Sequence, residues 1–88
     1  MTHITKKEAY DIGRLYNINF KVVPLREFYL GLNIELEHIN VIKDDLDVLL
    51  RIVIAHLEED PRYYYFLDIQ EKKREKYYKK HVKPRVLL

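Results

Sequence analysis

The sequence predicts an all-α fold, a compact four-helix domain with a long, basic C-terminal helix, and three observations carry that prediction. Apolar residues recur at spacings of three and four in most segments. Helix-start signals stand at Thr5, Pro24, Asp44–Asp45 and Asp60–Pro61. The single run that resembles a strand, around residues 17–23, has no second strand to pair with.

The first helix opens at Thr5. Glu8 lies three residues on, the spacing of a capping box, and the helix runs to about Tyr16. Its core face is Ala9, Ile12 and Tyr16, with Leu15 beside them. Residues 17–23 then form an extended connector whose Ile18, Phe20 and Val22 plug the core. Pro24 suits the first turn of a second helix, where a missing N–H costs nothing. That helix reaches about His38, and Leu25, Phe28, Leu32 and Leu36 form its stripe at spacings of 3, 4 and 4. Gly31 interrupts it at a cost of about 1 kcal/mol relative to Ala, which suggests the close approach of another helix. Residues 39–43 read as a loop. Asp44 or Asp45 caps a third helix with a broad apolar face: Leu46, Leu49, Leu50, Val53, Ile54 and Leu57. Asp60 caps the fourth, with Pro61 at its first helical position, and this helix runs to about His81, roughly 30 Å. Its first half is aromatic and apolar, its second half nearly all charge. Pro84 stops it, and Val86, Leu87 and Leu88 follow.

Composition narrows the function. The 88 residues make a single domain with a small core. Neither cysteine nor serine occurs, and Gly13 and Gly31 are the only glycines. Thiolate metal sites, thiol and seryl nucleophiles and glycine-rich phosphate loops are therefore excluded. No apolar run approaches a membrane span and no signal peptide opens the chain, so a soluble, cytoplasmic protein without membrane contact is expected. Abundant Lys and Glu with few thermolabile residues fit a thermophile.

Charge is segregated. Residues 1–71, the helical body, carry a balance of −5, whereas residues 72–88 carry +7. This basic helical extension and tail of the same domain holds Lys72, Lys73, Arg74, Lys76, Lys79, Lys80, Lys83 and Arg85, with Tyr77, Tyr78 and His81 among them. Lysines and arginines neutralise phosphates, and tyrosines stack on exposed bases. The same pattern also arises when tyrosines pack on the body and lysines are merely solvated.

Two segments carry possible chemistry. Glu35 and His38 are three apart on the second helix, and His56 and Glu59 repeat that spacing on the third. Facing each other, the four could bind a divalent metal. Sites of that kind add a carboxylate from each of two further helices, and nothing marks Glu8, Glu27 or Asp68 for the role. The same pairs equally make ordinary hydrogen bonds between helices, and no cofactor is then required.

The Glu-Leu-Glu-His of residues 35–38 and the Ala-His-Leu-Glu-Glu-Asp-Pro-Arg-Tyr-Tyr of residues 55–64 resemble a family of small uncharacterised helical domains of bacteria and archaea. The resemblance spans roughly Ala9 to Leu67 and implies no established activity. The short loop after the second helix and the basic extension depart from that family. Size, composition and the basic helical end also resemble the small accessory subunit of the family B DNA polymerase holoenzyme of hyperthermophilic crenarchaea. That second resemblance rests on overall character rather than on a motif. It implies a non-catalytic, archaeal binding subunit, with a DNA polymerase as its larger partner and the DNA backbone as a further contact.

Overall fold

The computed structural model describes residues 3–38 and 45–87. It contains four helices: α1 (Lys6–Leu15), α2 (Leu25–His38), α3 (Leu46–Glu59) and α4 (Tyr63–Lys80). Among the described residues there is no strand. The loop expected at 39–43 and the alternative cap Asp44 lie outside those residues.

Local sequence sets both ends of α1. The Thr5 hydroxyl accepts from the Glu8 N–H at 3.1 Å, and the Glu8 carboxylate accepts from the Thr5 N–H at 3.1 Å. At the other end Asn17 takes φ 60, and the N–H of Ile18 reaches back to the Gly13 carbonyl at 2.8 Å. This left-handed stop suits asparagine, which tolerates positive φ better than other residues with a side chain. The connector is turned rather than extended, because the Asn19 carbonyl accepts from Val22 and Val23 and its side chain accepts from Lys21. Ile18, Phe20 and Val23 consequently face the core, while Val22, expected to plug it, is 55% exposed.

The carbonyl of Pro24 accepts the first bonds of α2, from Glu27 and Phe28. Asp45 caps α3, its carboxylate accepting from Val48. Asp60 does not cap α4. Its side chain accepts from the Arg62 N–H at 2.9 Å and its carbonyl from Tyr63, so Asp60 and Pro61 build a turn and the helix starts two residues later than expected.

The buried core is Ile4, Ala9, Phe28, Leu32, Leu49, Leu50, Val53, Leu57 and Tyr64. Leu46 and Ile54 pack against it half-buried, so all six residues of the α3 face serve as expected. The α1 face is shifted. Leu15 and Tyr16 stand exposed, and the Tyr16 hydroxyl bonds Asp47 at 2.9 Å instead of entering the core. Their place is taken by Gly13, against which the Phe20 ring lies, and by Ile4, ahead of the helix. Ile4 is held by Asn33 of α2, whose amide accepts from its N–H and donates to its carbonyl, both at 2.8 Å.

Helix α2 packs against all three other helices. Gly31 receives the Tyr64 ring of α4, and a Cβ there would stand 2.4 Å from a ring carbon. The chain measures 44 × 29 × 22 Å with a radius of gyration of 15.1 Å. A compact chain of this length has a radius of about 12 Å. The excess reflects the second half of α4 and the residues after it, where every described residue from Lys72 onward is exposed.

Candidate functional site

Two sets of side chains draw attention, a polar cluster at the start of α4 and the basic run at its end. The cluster begins with Glu27, which is buried in the first turn of α2. Its carboxylate accepts from the backbone N–H of Tyr65 at 2.8 Å and of Tyr64 at 3.3 Å. The first turn of α4 lacks a side-chain cap of its own, and Glu27 supplies one from another helix. Burial raises the Glu27 pKa above the usual carboxylate value. The two amides and the Arg62 charge pull it back, and Asp60 adds to the rise.

About two turns further along α2, Glu35 meets α3 and α4 together. Its Oε2 lies 3.0 Å from His56 Nδ1 and accepts from the Tyr64 hydroxyl at 3.2 Å, and Nδ1 and that hydroxyl are 3.0 Å apart. A carboxylate oxygen carries two lone pairs and can accept from both donors. The His56 ring also stacks on Tyr63, with centroids 4.3 Å apart and an interplanar angle of 10°. Burial first, and then the Glu35 charge and hydrogen bond, push the Tyr64 pKa far upward. The Tyr64 hydroxyl is thus held inside the cluster as a hydrogen-bond donor to Glu35.

Of the four residues read as metal ligands, the structure brings together only Glu35 and His56. His38 turns back on its own helix, Nδ1 lying 2.8 Å from the Ile34 carbonyl, and Glu59 is exposed at the end of α3. Among the described residues no three His, Asp or Glu side chains stand close enough to hold a metal ion. What the cluster does is join three helices through one carboxylate. Glu27, Asn33 and Tyr64 were not legible as anchors. A mid-helix asparagine is a poor helix former and so a weak signal, while Glu27 reads as an ordinary first-turn acid.

The basic run is placed quite differently. Lys72, Lys73, Arg74, Lys76, Lys79 and Lys80 line the exposed half of α4, and Lys83 and Arg85 follow it. Lys72 pairs with Asp68 at 3.1 Å. Tyr77 is 54% and Tyr78 42% exposed, so neither packs on the body. They meet edge to face, and Tyr77 stacks on His81 with centroids 4.2 Å apart.

Fold and site together define a small all-α domain, tied at one end by a carboxylate–imidazole–phenol cluster and continued at the other by a free basic helix. The chain belongs to the family described as protein of unknown function DUF5661, whose family model matches residues 9–73. The match begins at Ala9, where the resemblance to a small uncharacterised family began, and it contains both polar anchors of α4. It ends within the first residues of the basic run. No curated protein and no solved structure matches the sequence. The likeness to the polymerase accessory subunit thus continues to rest on overall character. Among the described residues no helix is long and apolar enough to cross a membrane.

Proposed function

We propose that this chain is a non-catalytic binding module of a DNA-handling complex, and that the second half of α4 lies against the nucleic-acid backbone. The observation that carries this reading is the run Lys72–Lys80, a helical segment exposed along its whole length and made of five lysines, an arginine and two unburied tyrosines, with Glu75 as its one acid. A helix usually gains its stability by burying an apolar face, and this segment buries none. Its charge suits phosphates, and electrostatic attraction of that kind needs no prior shape. The titratable cluster at the base of the helix is spent on internal hydrogen bonds, which supports a binding role rather than a catalytic one. A larger protein, a DNA polymerase on the likeness in overall character, completes the complex.

The test is fluorescence anisotropy of a labelled oligonucleotide with the full chain between 50 and 200 mM salt. With about four phosphates neutralised, log K against log salt falls with a slope of about −3 to −4 on duplex DNA. Reversing Lys73, Lys76, Lys79 and Lys80 to Glu abolishes binding. Equal binding by that variant, or a flat salt dependence, refutes the proposal.

A further inference from the structure

We infer that the nucleic acid is single-stranded and that it continues from the free half of α4 into a groove between α2 and α4, where Tyr65 stacks on a base. The inference rests on the binding role proposed above and extends it to a ligand class and a second contact region.

The groove has a volume of about 230 Å³, and Arg26, Leu30, Arg62, Tyr65, Ile69 and Lys72 are among the residues that line it. Lys72 also begins the basic run, so groove and run form one continuous surface. Tyr65, Lys72, Lys76 and Lys79 follow one another at spacings of 7, 4 and 3, which places them on a single face of α4. Tyr65 is 37% exposed, and the Arg62 guanidinium sits 4.5 Å from its ring centroid. Phe66, 54% exposed, meets the same ring edge to face at 5.2 Å. Two carboxylates adjoin the groove and both are already engaged, Glu27 with the amides of Tyr64 and Tyr65 and Asp68 with Lys72.

Unburied rings thus accompany the cationic stripe: Tyr65 on its face at the groove, with Phe66 beside it, and Tyr77 and Tyr78 about 18 Å further along the helix, about 120–140° round from that face. In a duplex the base faces are stacked on one another and offer such rings nothing. A single strand presents free base faces together with its phosphates, and ring–base stacking between cationic contacts is how single strands are held without sequence readout. An acidic protein would satisfy the lysines but would leave the ring faces unused.

The experiment compares the full chain's affinity for three labelled 12-mers: a mixed single strand, the same length with abasic sites throughout, and the duplex. The single strand binds at least five-fold more tightly than either of the others. Tyr65→Ala retains the backbone N–H that Glu27 holds, and it lowers single-strand affinity about five-fold or more while leaving abasic and duplex affinities within two-fold, as loss of one stacked base requires. Tyr65→Leu, which keeps apolar bulk without an aromatic face, shows the same loss and separates stacking from folding. Equal affinity for the abasic strand overturns the inference, as does unchanged single-strand binding by the Tyr65 and Arg62→Ala variants. If those variants are silent while the Lys73/Lys76/Lys79/Lys80→Glu chain fails to bind, the inference falls and the broader reading stands. If the Glu-substituted chain binds as the wild type does, both fall. Competition by poly-aspartate equal to that of the single strand, charge for charge, assigns the surface to an acidic protein and also overturns the inference.

Discussion

The two halves of α4 are one continuous helix held in place by different physics. From Tyr63 to Glu71 the helix is anchored by groups far away in sequence, Glu27 on its amides, Glu35 and His56 on the Tyr64 hydroxyl, and Gly31 beneath the Tyr64 ring. From Lys72 to Lys80 it makes no buried contact at all. There it is sustained by its own backbone hydrogen bonds, by good helix formers such as Lys, Arg and Glu, and by Lys79 and Lys80 at the negative end of the dipole. The contrast shows that a helix's continuity carries no information about where its stability resides. Anchorage occupies one half and leaves the other to face a partner.

The sharpest way to break this comparison is substitution of matched tyrosines. Tyr64→Ala removes a fully buried ring and two hydrogen bonds and costs about 3–5 kcal/mol, read by urea or thermal unfolding. Tyr77→Ala on the free half stays within about 0.5 kcal/mol. Similar losses at the two positions would show that the second half of α4 is anchored after all.

The two glycines give a smaller contrast. Gly31→Ala forces its new methyl against a buried ring that has no room to move. The expected overpacking cost of about 1–3 kcal/mol exceeds the roughly 1 kcal/mol gained in helix propensity. At Gly13 the facing ring is Phe20, which is only half-buried, so it can shift and the two effects nearly cancel. Equal melting temperatures for the two variants would contradict this account.

Glu27→Gln retains one acceptor where the carboxylate has two and costs about 1–2 kcal/mol at neutral pH. It also changes the pH profile. The folded state holds the Glu27 proton more tightly than the unfolded chain does, so this group's contribution to stability falls as pH rises past the ordinary value of 4.5. Subtracting the variant's stability curve from that of the wild type isolates this slope. The subtraction matters because Glu8, whose pKa is lowered by its hydrogen bonds to Thr5, contributes stability present above 4.5 and lost as pH falls. A flat difference curve would remove Glu27 from the account of α4.

The smallest effect belongs to His38. Its hydrogen bond to the Ile34 carbonyl raises its pKa, slight desolvation of the exposed ring opposes the rise, and Glu71, Glu35 and Glu37 add to it. The stability it contributes is fully present below 6.5 and is lost as pH rises through the elevated folded value. His38→Ala flattens the wild-type stability curve over that interval, and NMR titration of the ring locates the midpoint.

Legibility in the sequence divides along the same line as the comparison. The capping box at Thr5–Glu8, the apolar face of α3 and the close approach at Gly31 depend on residues near each other or on a glycine whose use is limited. All three could be read directly. The pairing of Glu35 with His56 could be anticipated from their places near the ends of neighbouring helices, but not its closure by Tyr64. Glu27 was opaque, because a carboxylate in the first turn of a helix already has a local use there. Tyr16 misled because tyrosine satisfies an apolar pattern equally well from the surface, where its hydroxyl found Asp47. The exposure of the basic run agrees with its composition, since no apolar stripe exists to bury it.

The Asn33 clamp on Ile4 has a consequence on the timescale of solvent exchange. Ile4 precedes the first helix, and amides outside regular structure ordinarily exchange with water almost freely. Here the N–H of the fully buried Ile4 points into a half-buried carboxamide that also grips its carbonyl, so it can exchange only when α1 lifts from α2. In deuterium the Ile4 amide therefore outlasts those of the Asn17–Val23 turn and keeps pace with Phe28 and Leu32 on α2. A residue that belongs to no helix thus becomes the reporter for separation of the first two.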